Sequence, residues 1–445
     1  MSNWDFFDLL NQHLVGFLFV LIGSLGLYAF LYRKWFVSIL DPFFWAAVMS
    51  SCGFAVVIFM YVEGTMQTKY LFSYLVTQFT FLFSALFFNR LGFHSLFRKP
   101  FHIQHQHSIV QLVHLICMVG VVCIQLYVYR SEGIPMFMES RLEAGKGGTG
   151  AGLLYRFLSI WGIIAFMLSL YTINLRKKTL IFYLSCGFII FYILTLFLGG
   201  SKAALLTVAN LLFIYAILFS TPSYNLLAQL KKHEKTIILL SVAAGMGVIL
   251  VASHGSGNNL LLSFASLTTR FVFSGDVYWY LYPGGYIELL DSSRPLASLF
   301  SDFLGMTRLA HWDQLPEHMG ITTYLFHHSS DTIIGPNARH NVFGYVMFGM
   351  YGSILFSFFL GAITGTVRNI FYQASETHVL IKVFIAVLYQ KVWLLETDIT
   401  LALMEFDSLI VTSFTLIILV MTIIGLNALL NKKKFRHVKC SRSIL

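Results

Sequence analysis

Apolar residues in this chain gather into long unbroken runs rather than alternating with polar ones. Leu14–Leu31, Thr236–Ser253 and Leu409–Leu429 each hold about 18 or more positions almost free of charge. A helix of that length crosses the roughly 30 Å hydrocarbon core of a bilayer. The pattern predicts about eleven such spans, at 13–32, 43–62, 71–89, 108–129, 152–174, 179–199, 202–220, 236–253, 343–365, 378–395 and 408–430. The expected fold class is therefore an all-α polytopic membrane protein. No small-residue cleavage site follows the first apolar stretch, so the first span is expected to be retained. The predicted organisation is 1–253 with eight spans, a large loop at 254–342, and 343–445 with three spans and a basic tail.

Composition supports this pattern. The chain has 445 residues, 57% hydrophobic and 11% charged, against roughly 25% charged in soluble domains. Its five cysteines make no disulfide framework. The net charge of +10 would fit a nucleic-acid partner were it not distributed by loop. Arg33, Lys34, Arg90, Arg98, Lys99, Arg176, Lys177, Lys178, Lys231, Lys232, Lys235, Arg368 and the tail from Lys432 to Arg442 fall in alternate connections. The positive-inside rule puts these in the cytoplasm. An odd number of spans with the N-terminus outside and the C-terminus inside satisfies every loop. Two external segments result, 130–151 and 254–342, and long loops commonly carry function. Within the second, Leu296–Leu304 has the spacing of a short amphipathic helix at the membrane surface, and the whole loop is expected to cap the bundle.

External basic residues oppose the orientation rule. Surface solvation accounts for Lys69, Arg130 and Lys146, whereas Arg156, Lys202 and Lys391 stand at the outer ends of spans, where ionisable groups are costly and often functional. Several cations on one face suit a ligand of concentrated negative charge, which Arg grips as a fork and Lys as a point charge. A lipid diphosphate fits; a nucleotide does not, because no Walker-type glycine loop is present. Asp276 follows Arg270 closely, and His340 follows Arg339. Either Asp276 or His340 could take a proton from a sugar hydroxyl. Tyr278, Trp279 and Tyr282 could stack on sugar rings or belong to an interfacial aromatic belt. His102, His105 and His107 have metal-like spacing but lack Cys or acidic partners, so no metal or other cofactor is expected.

Four segments resemble the Wzy-type O-antigen (oligosaccharide repeat-unit) polymerases of bacterial inner membranes. Arg141 and Gly152 enclose ten residues in one external loop, and Arg294 and Gly305 enclose ten in the other. Gly199-Gly200-Ser201-Lys202 opens a span, with Lys where the family pattern also allows Arg. Gly335-Pro336-Asn337, Arg339-His340, Asn341–Tyr345 and Gly349–Gly352 lead from the large loop into the next span. The resemblance implies a metal-independent C-type glycosyltransferase of lipopolysaccharide biosynthesis. It would move a growing glycan from undecaprenyl diphosphate to a hydroxyl of an incoming lipid-linked unit at the periplasmic face. A chain-length regulator is the protein partner it suggests. With this chemistry, the diphosphate is expected at Arg141, Arg156, Lys202, Arg270, Arg294 and Arg339, the chemistry at Asp276, His340 and Arg270, and the glycan at Tyr278, Trp279, Tyr282 and Asn337. An O-antigen ligase would share this layout and deliver finished polymer to lipid A-core. A lipid-linked glycan flippase or other transporter would instead place charged groups at mid-membrane depth and use duplicated halves.

Overall fold

The computed structural model describes residues 1–91, 106–138, 151–176, 178–200, 204–220, 225–256, 269–328 and 335–441. Regular structure among them is entirely helical. In chain order the helices are α1 (Asn3–Gln12), α2 (Leu14–Tyr32), α3 (Pro42–Val62), α4 (Thr68–Phe88), α5 (Gln106–Glu132), α6 (Ala151–Asn174), α7 (Leu180–Leu198), α8 (Ala204–Phe219) and α9 (Leu226–Ser256). They continue with α10 (Asp276–Leu281), α11 (Pro295–Leu299), α12 (Ser301–Met306), α13 (Met319–Leu325), α14 (His340–Gln373), α15 (Val379–Lys391), α16 (Leu394–Thr397) and α17 (Ile399–Ser441).

Among the described residues eight helices are long and apolar enough to cross a membrane, and the chain is a helical, polytopic membrane protein. The eleven predicted spans are not all matched at that length. The run at 202–220 forms the 16-residue α8, and 236–253 lies within the 31-residue α9. The run at 378–395 breaks into α15, of 13 residues, and the single turn α16. Thirteen residues rise only about 20 Å, short of the roughly 30 Å core.

The chain divides into two compact units. The first comprises 1–100, 133–144 and 193–406. Its helices α4 and α14 approach closely because glycine lines the contact. A Cβ on Gly361 would lie 2.3 Å from the Phe81 carbonyl oxygen, and one on Gly365 2.2 Å from that of Ala85. This Gly-x-x-x-Gly pair lets two backbones touch, which membrane helices use where no hydrophobic force drives association.

Helix α14 is not one rod. Gly349 has φ 68° and ψ −177°, a left-handed, extended conformation that glycine alone adopts readily. In an unbroken helix Gly344 and Ser353 would stand about 13 Å apart along the axis. Here a Cβ on Gly344 would sit 3.1 Å from that of Ser353, and Phe343 stacks on Phe356 with ring centroids 5.9 Å apart. Residues 340–348 therefore form a half-helix folded back along the start of the main one. Its first residue, His340, lies against Phe81, with ring centroids 4.7 Å apart, more than halfway along α4. Tyr345 has climbed back to Tyr70 near the start of α4. The segment is re-entrant: it enters to mid-depth and returns by the same face, a path tolerated where protein rather than lipid surrounds the backbone.

The large loop is partly helical. Where one amphipathic helix is predicted at 296–304, the chain makes two, α11 and α12, because Phe300 leaves helical geometry (φ −105°, ψ 23°). The loop is anchored by α1, an amphipathic helix with a Ser2–Asp5 capping box that the apolar-run pattern does not reveal. Phe6 of α1 stacks on Trp279 at 4.2 Å. Glu288, carried outward past the positive-φ Gly284 and Gly285, accepts from Lys69 at 3.1 Å and from the Tyr345 hydroxyl at 2.9 Å. Desolvation pushes its pKa up, but the Lys69 ammonium and the Tyr345 and Tyr70 hydroxyls outweigh it and hold the carboxylate below its ordinary range.

At the opposite end of α3, buried Asp41 caps the helix and accepts from the Tyr389 and Tyr372 hydroxyls at 2.7 and 3.1 Å. Arg368, expected in an inner loop, is buried within α14 instead. It donates to the Trp35 carbonyl at 2.9 Å and lies 4.4 Å above the Trp35 ring.

The second unit comprises 101–132, 145–192 and 407–445, with α5 packed along α6. The Trp161 ring fills the space over Gly120, and Tyr192 that over Gly162. Buried His114 sits between two hydroxyls, with Ser169 Oγ at 2.9 Å from Nε2 and Thr172 Oγ1 at 3.3 Å from Nδ1. Trp161 donates to the Thr412 carbonyl at 3.3 Å.

Candidate functional site

The residues singled out by sequence do not all meet. Arg141 and Lys202, with His102 and His105, lie outside the described residues. Arg156 belongs to the second unit, where its Nη1 donates to Ser408 Oγ at 3.2 Å. Arg294 is exposed and donates to the Gln314 carbonyl at 2.8 Å, so it braces the loop's own fold. Asn337 is exposed on the extended segment that leads into the half-helix. Among the described residues no group of three or more His, Cys, Asp or Glu side chains could hold a metal ion.

Arg270, Asp276 and Arg339 do come together within the first unit, with His340 adjoining Arg339 in the chain. The turn at Phe273–Gly275 and helix α10 lie against α3 because both partners are stripped down there. A Cβ on Gly275 would meet Val56 at 2.7 Å, and one on Gly53 would meet Arg339 Cζ at 3.2 Å and the Ser274 carbonyl at 3.3 Å. Val56 stands about 9 Å below the end of α3, so Asp276 is recessed rather than at the surface. The Arg339 guanidinium lies flat over Gly53, donates through Nη2 to the Met49 carbonyl at 3.3 Å, and leaves Nη1 without a partner in this structure. Arg270 is exposed.

Both cations act on Asp276. Desolvation raises its carboxyl from the ordinary 3.8 to about 7, although its bond from the Val277 amide and the positive charges of Arg339 and Arg270 pull the other way. Part of its surface remains accessible. A carboxyl balanced near neutrality beside one buried and one exposed guanidinium can accept a proton at physiological pH.

The aromatic residues are placed differently from the sugar-stacking expectation. Tyr278, Trp279 and Tyr282 are buried. Trp279 stacks on Phe6 and donates to Asn3 Oδ1 at 3.0 Å, and Tyr282 stacks on Tyr70 at 5.3 Å. Tyr278 instead points down, donating its hydroxyl to Asn341 Oδ1 at 2.8 Å.

Below Asp276 lies a polar chain that the apolar-run reading missed. Asn341 Nδ2 donates to Gln78 Oε1 at 3.1 Å, and Gln78 Nε2 donates to Glu396 Oε1 at 2.8 Å. Ser50 also donates to that oxygen, and Tyr28 lies within reach of Gln78 Nε2 at 3.1 Å. His340 Nδ1 faces the Glu396 backbone carbonyl at 3.3 Å. A carbonyl only accepts, so Nδ1 carries the proton, and Nε2 has no partner in this structure. Ser50 lies about 12 Å along the 21-residue α3 and Gln78 about 15 Å along the 21-residue α4. Glu396 and Arg339, both buried, are thus held near mid-depth. The signals available in sequence were a lone Gln inside an apolar span and an acid in the break after Trp393.

Compared with protein-family models, with curated proteins and with solved structures, the chain matches none. Its class rests on its own fold: a helical membrane protein with a re-entrant half-helix and a buried polar site beneath a partly helical cap.

Proposed function

We propose that this chain polymerises lipid-linked oligosaccharides, joining undecaprenyl-diphosphate-linked repeat units at the cap end of its first unit, which faces the periplasm. The observation that supports the reading is Asp276, a recessed carboxyl balanced near neutral pH under the charges of Arg270 and Arg339. In the transfer, a hydroxyl of the incoming unit bonds to the anomeric carbon of the growing chain. Its proton goes to the Asp276 carboxylate. The bond from the anomeric carbon to the diphosphate oxygen breaks, and the electron pair leaves with the diphosphate. Arg270, exposed at the mouth, meets that developing charge, while buried Arg339 keeps Asp276 anionic enough to act. The O-antigen-polymerase resemblance around Arg294, Gly305 and Gly335–Tyr345 supports the same chemistry.

The test is a strain in which this chain is the sole polymerase. Asp276→Asn, Arg270→Ala or Arg339→Ala is expected to leave single repeat units on the lipid A-core with the protein still in the membrane. A normal ladder of chain lengths refutes those residue assignments, and a ladder that survives deletion of the chain refutes the reading.

A second reading, a lipid-linked glycan transporter, is favoured by a different observation: the re-entrant half-helix and the mid-depth carboxylate Glu396 are devices that transporters use. Loss of a transporter leaves lipid-linked units on the inner leaflet and nothing on the core, whereas loss of a polymerase leaves single units there, so deleting the chain separates the two.

A further inference from the structure

The chain of hydrogen bonds beneath Asp276 has a direction. Glu396 has only acceptor oxygens when ionised, so the amide of Gln78 must turn its NH₂ toward it. That leaves the Gln78 carbonyl facing Asn341, whose NH₂ must donate and whose carbonyl must then accept from the Tyr278 hydroxyl. Each bond joins buried side chains, where a wrongly turned amide leaves two groups unsatisfied at once. Asn341 is the second residue of the half-helix and directly follows His340 and Arg339; Tyr278 is two residues beyond Asp276. One carboxylate at mid-depth therefore orients the two short segments that carry the site.

We propose that Glu396 is a positioning residue: its carboxylate fixes the direction of the Gln78–Asn341–Tyr278 chain and so holds Arg339 beside Asp276. Its role in the reaction rests on the glycan-transfer reading, whereas its hold on the half-helix does not. The groups facing it support this role. Arg339 approaches from the half-helix without bonding its carboxylate. Tyr28 and Ser50 come from α2 and α3, Gln78 from α4, and Tyr278 from above. The guanidinium and the Ser50 and Gln78 donors favour the ionised form there, against the burial that opposes it, with no second carboxylate among the groups named.

The experiment uses the full-length protein in nanodiscs. Glu396→Gln keeps the shape but lets residue 396 donate as well as accept, so the chain loses its direction. With that direction lost, amide exchange over 339–343 and 276–282 is expected to speed up about tenfold or more. The exchanged pair Glu396→Gln with Gln78→Glu restores a carboxylate one link along the same chain, accepting from Asn341, and is expected to recover slow exchange. Unchanged exchange in Glu396→Gln, or no recovery in the exchanged pair, overturns the positioning role. Where Glu396→Gln fails to insert, the exchanged pair against Gln78→Glu alone decides, and equal exchange in those two also overturns it.

Polymerisation kinetics supply the second readout. Glu396→Gln is expected to lower kcat on the order of 10²-fold with KM for the lipid-linked unit within about twofold. The acid limb of its pH profile should move to higher pH, because a displaced Arg339 no longer favours the Asp276 anion. Faster exchange with unaltered polymer would keep the structural hold and remove Arg339 and Asp276 from the transfer step instead.

Discussion

Asp276 makes a claim about pH that separates a chemical role from a structural one. Its carboxyl is raised from 3.8 to about 7, so the folded protein binds that proton more tightly than the unfolded chain. The folded state is therefore favoured at low pH, loses ground as pH rises from about 4 to about 7, and changes little above that. The catalytic form, by contrast, is the carboxylate present above about pH 7. Polymerisation is expected to fall tenfold per unit as pH drops below 7, with the slope absent from any residual rate of Asp276→Asn. That variant should melt no earlier than the parent at pH 8, since it removes a group that burial disfavours. A melting temperature lowered by several degrees would make Asp276 a structural residue. Gly53 illustrates the opposite dependence, a site residue legible only from geometry. Its missing side chain is what lets the Arg339 guanidinium lie against α3, and no periodicity marks that position among the other small residues of the span.

Three glycines on α14 do two different jobs at the scale of the element. Gly361 and Gly365 have no room for a methyl group, because the backbone oxygens of Phe81 and Ala85 stand where it would go. Gly349 has open space around it but a positive φ. Gly361→Ala is therefore expected to force α4 and α14 apart and cost about 1–3 kcal/mol, read as a lower midpoint of unfolding in mild detergent. Gly349→Ala should cost about 1–2 kcal/mol through backbone strain alone, with the α4 contact intact by cross-linking across the Gly361–Phe81 pair. Equal loss of that contact in both would contradict the distinction. Apolar run length located most spans to within a few residues, because a bilayer imposes a single length on every crossing helix. It was blind to the half-helix at 340–348 and to the break at 392–398. Both are apolar enough to read as parts of spans, and what ends them is a dihedral angle at Gly349 and a carboxylate at 396. Of the site itself, Asp276, Arg270, Arg339 and His340 were legible from charge in an uncharged setting. Gln78, Ser50 and Asn341 were not, since a neutral polar residue in a span gains meaning only from the one opposite.

For the whole molecule, the orientation inferred from loop charge is tested apart from any activity. In a cysteine-free background, Ser292→Cys is expected to react with a membrane-impermeant maleimide on intact spheroplasts, and Lys432→Cys only after permeabilisation. The reverse pattern would turn the protein over and move Asp276 to the cytoplasmic face, away from any periplasmic glycan. The polar chain also bears on how the protein is made. Gln78 finds Asn341 263 residues later and Glu396 318 residues later, so at about 5–20 residues per second α4 waits roughly 15–60 s in the bilayer with the Gln78 carbonyl lacking its donor, while Tyr28 and Ser50 are already at hand for the NH₂. A nascent chain halted before residue 339 should therefore hold Gln78 near water or in the grip of an insertion chaperone. Release past residue 396 would free it, and a photo-crosslinker at position 78 would record the hand-over.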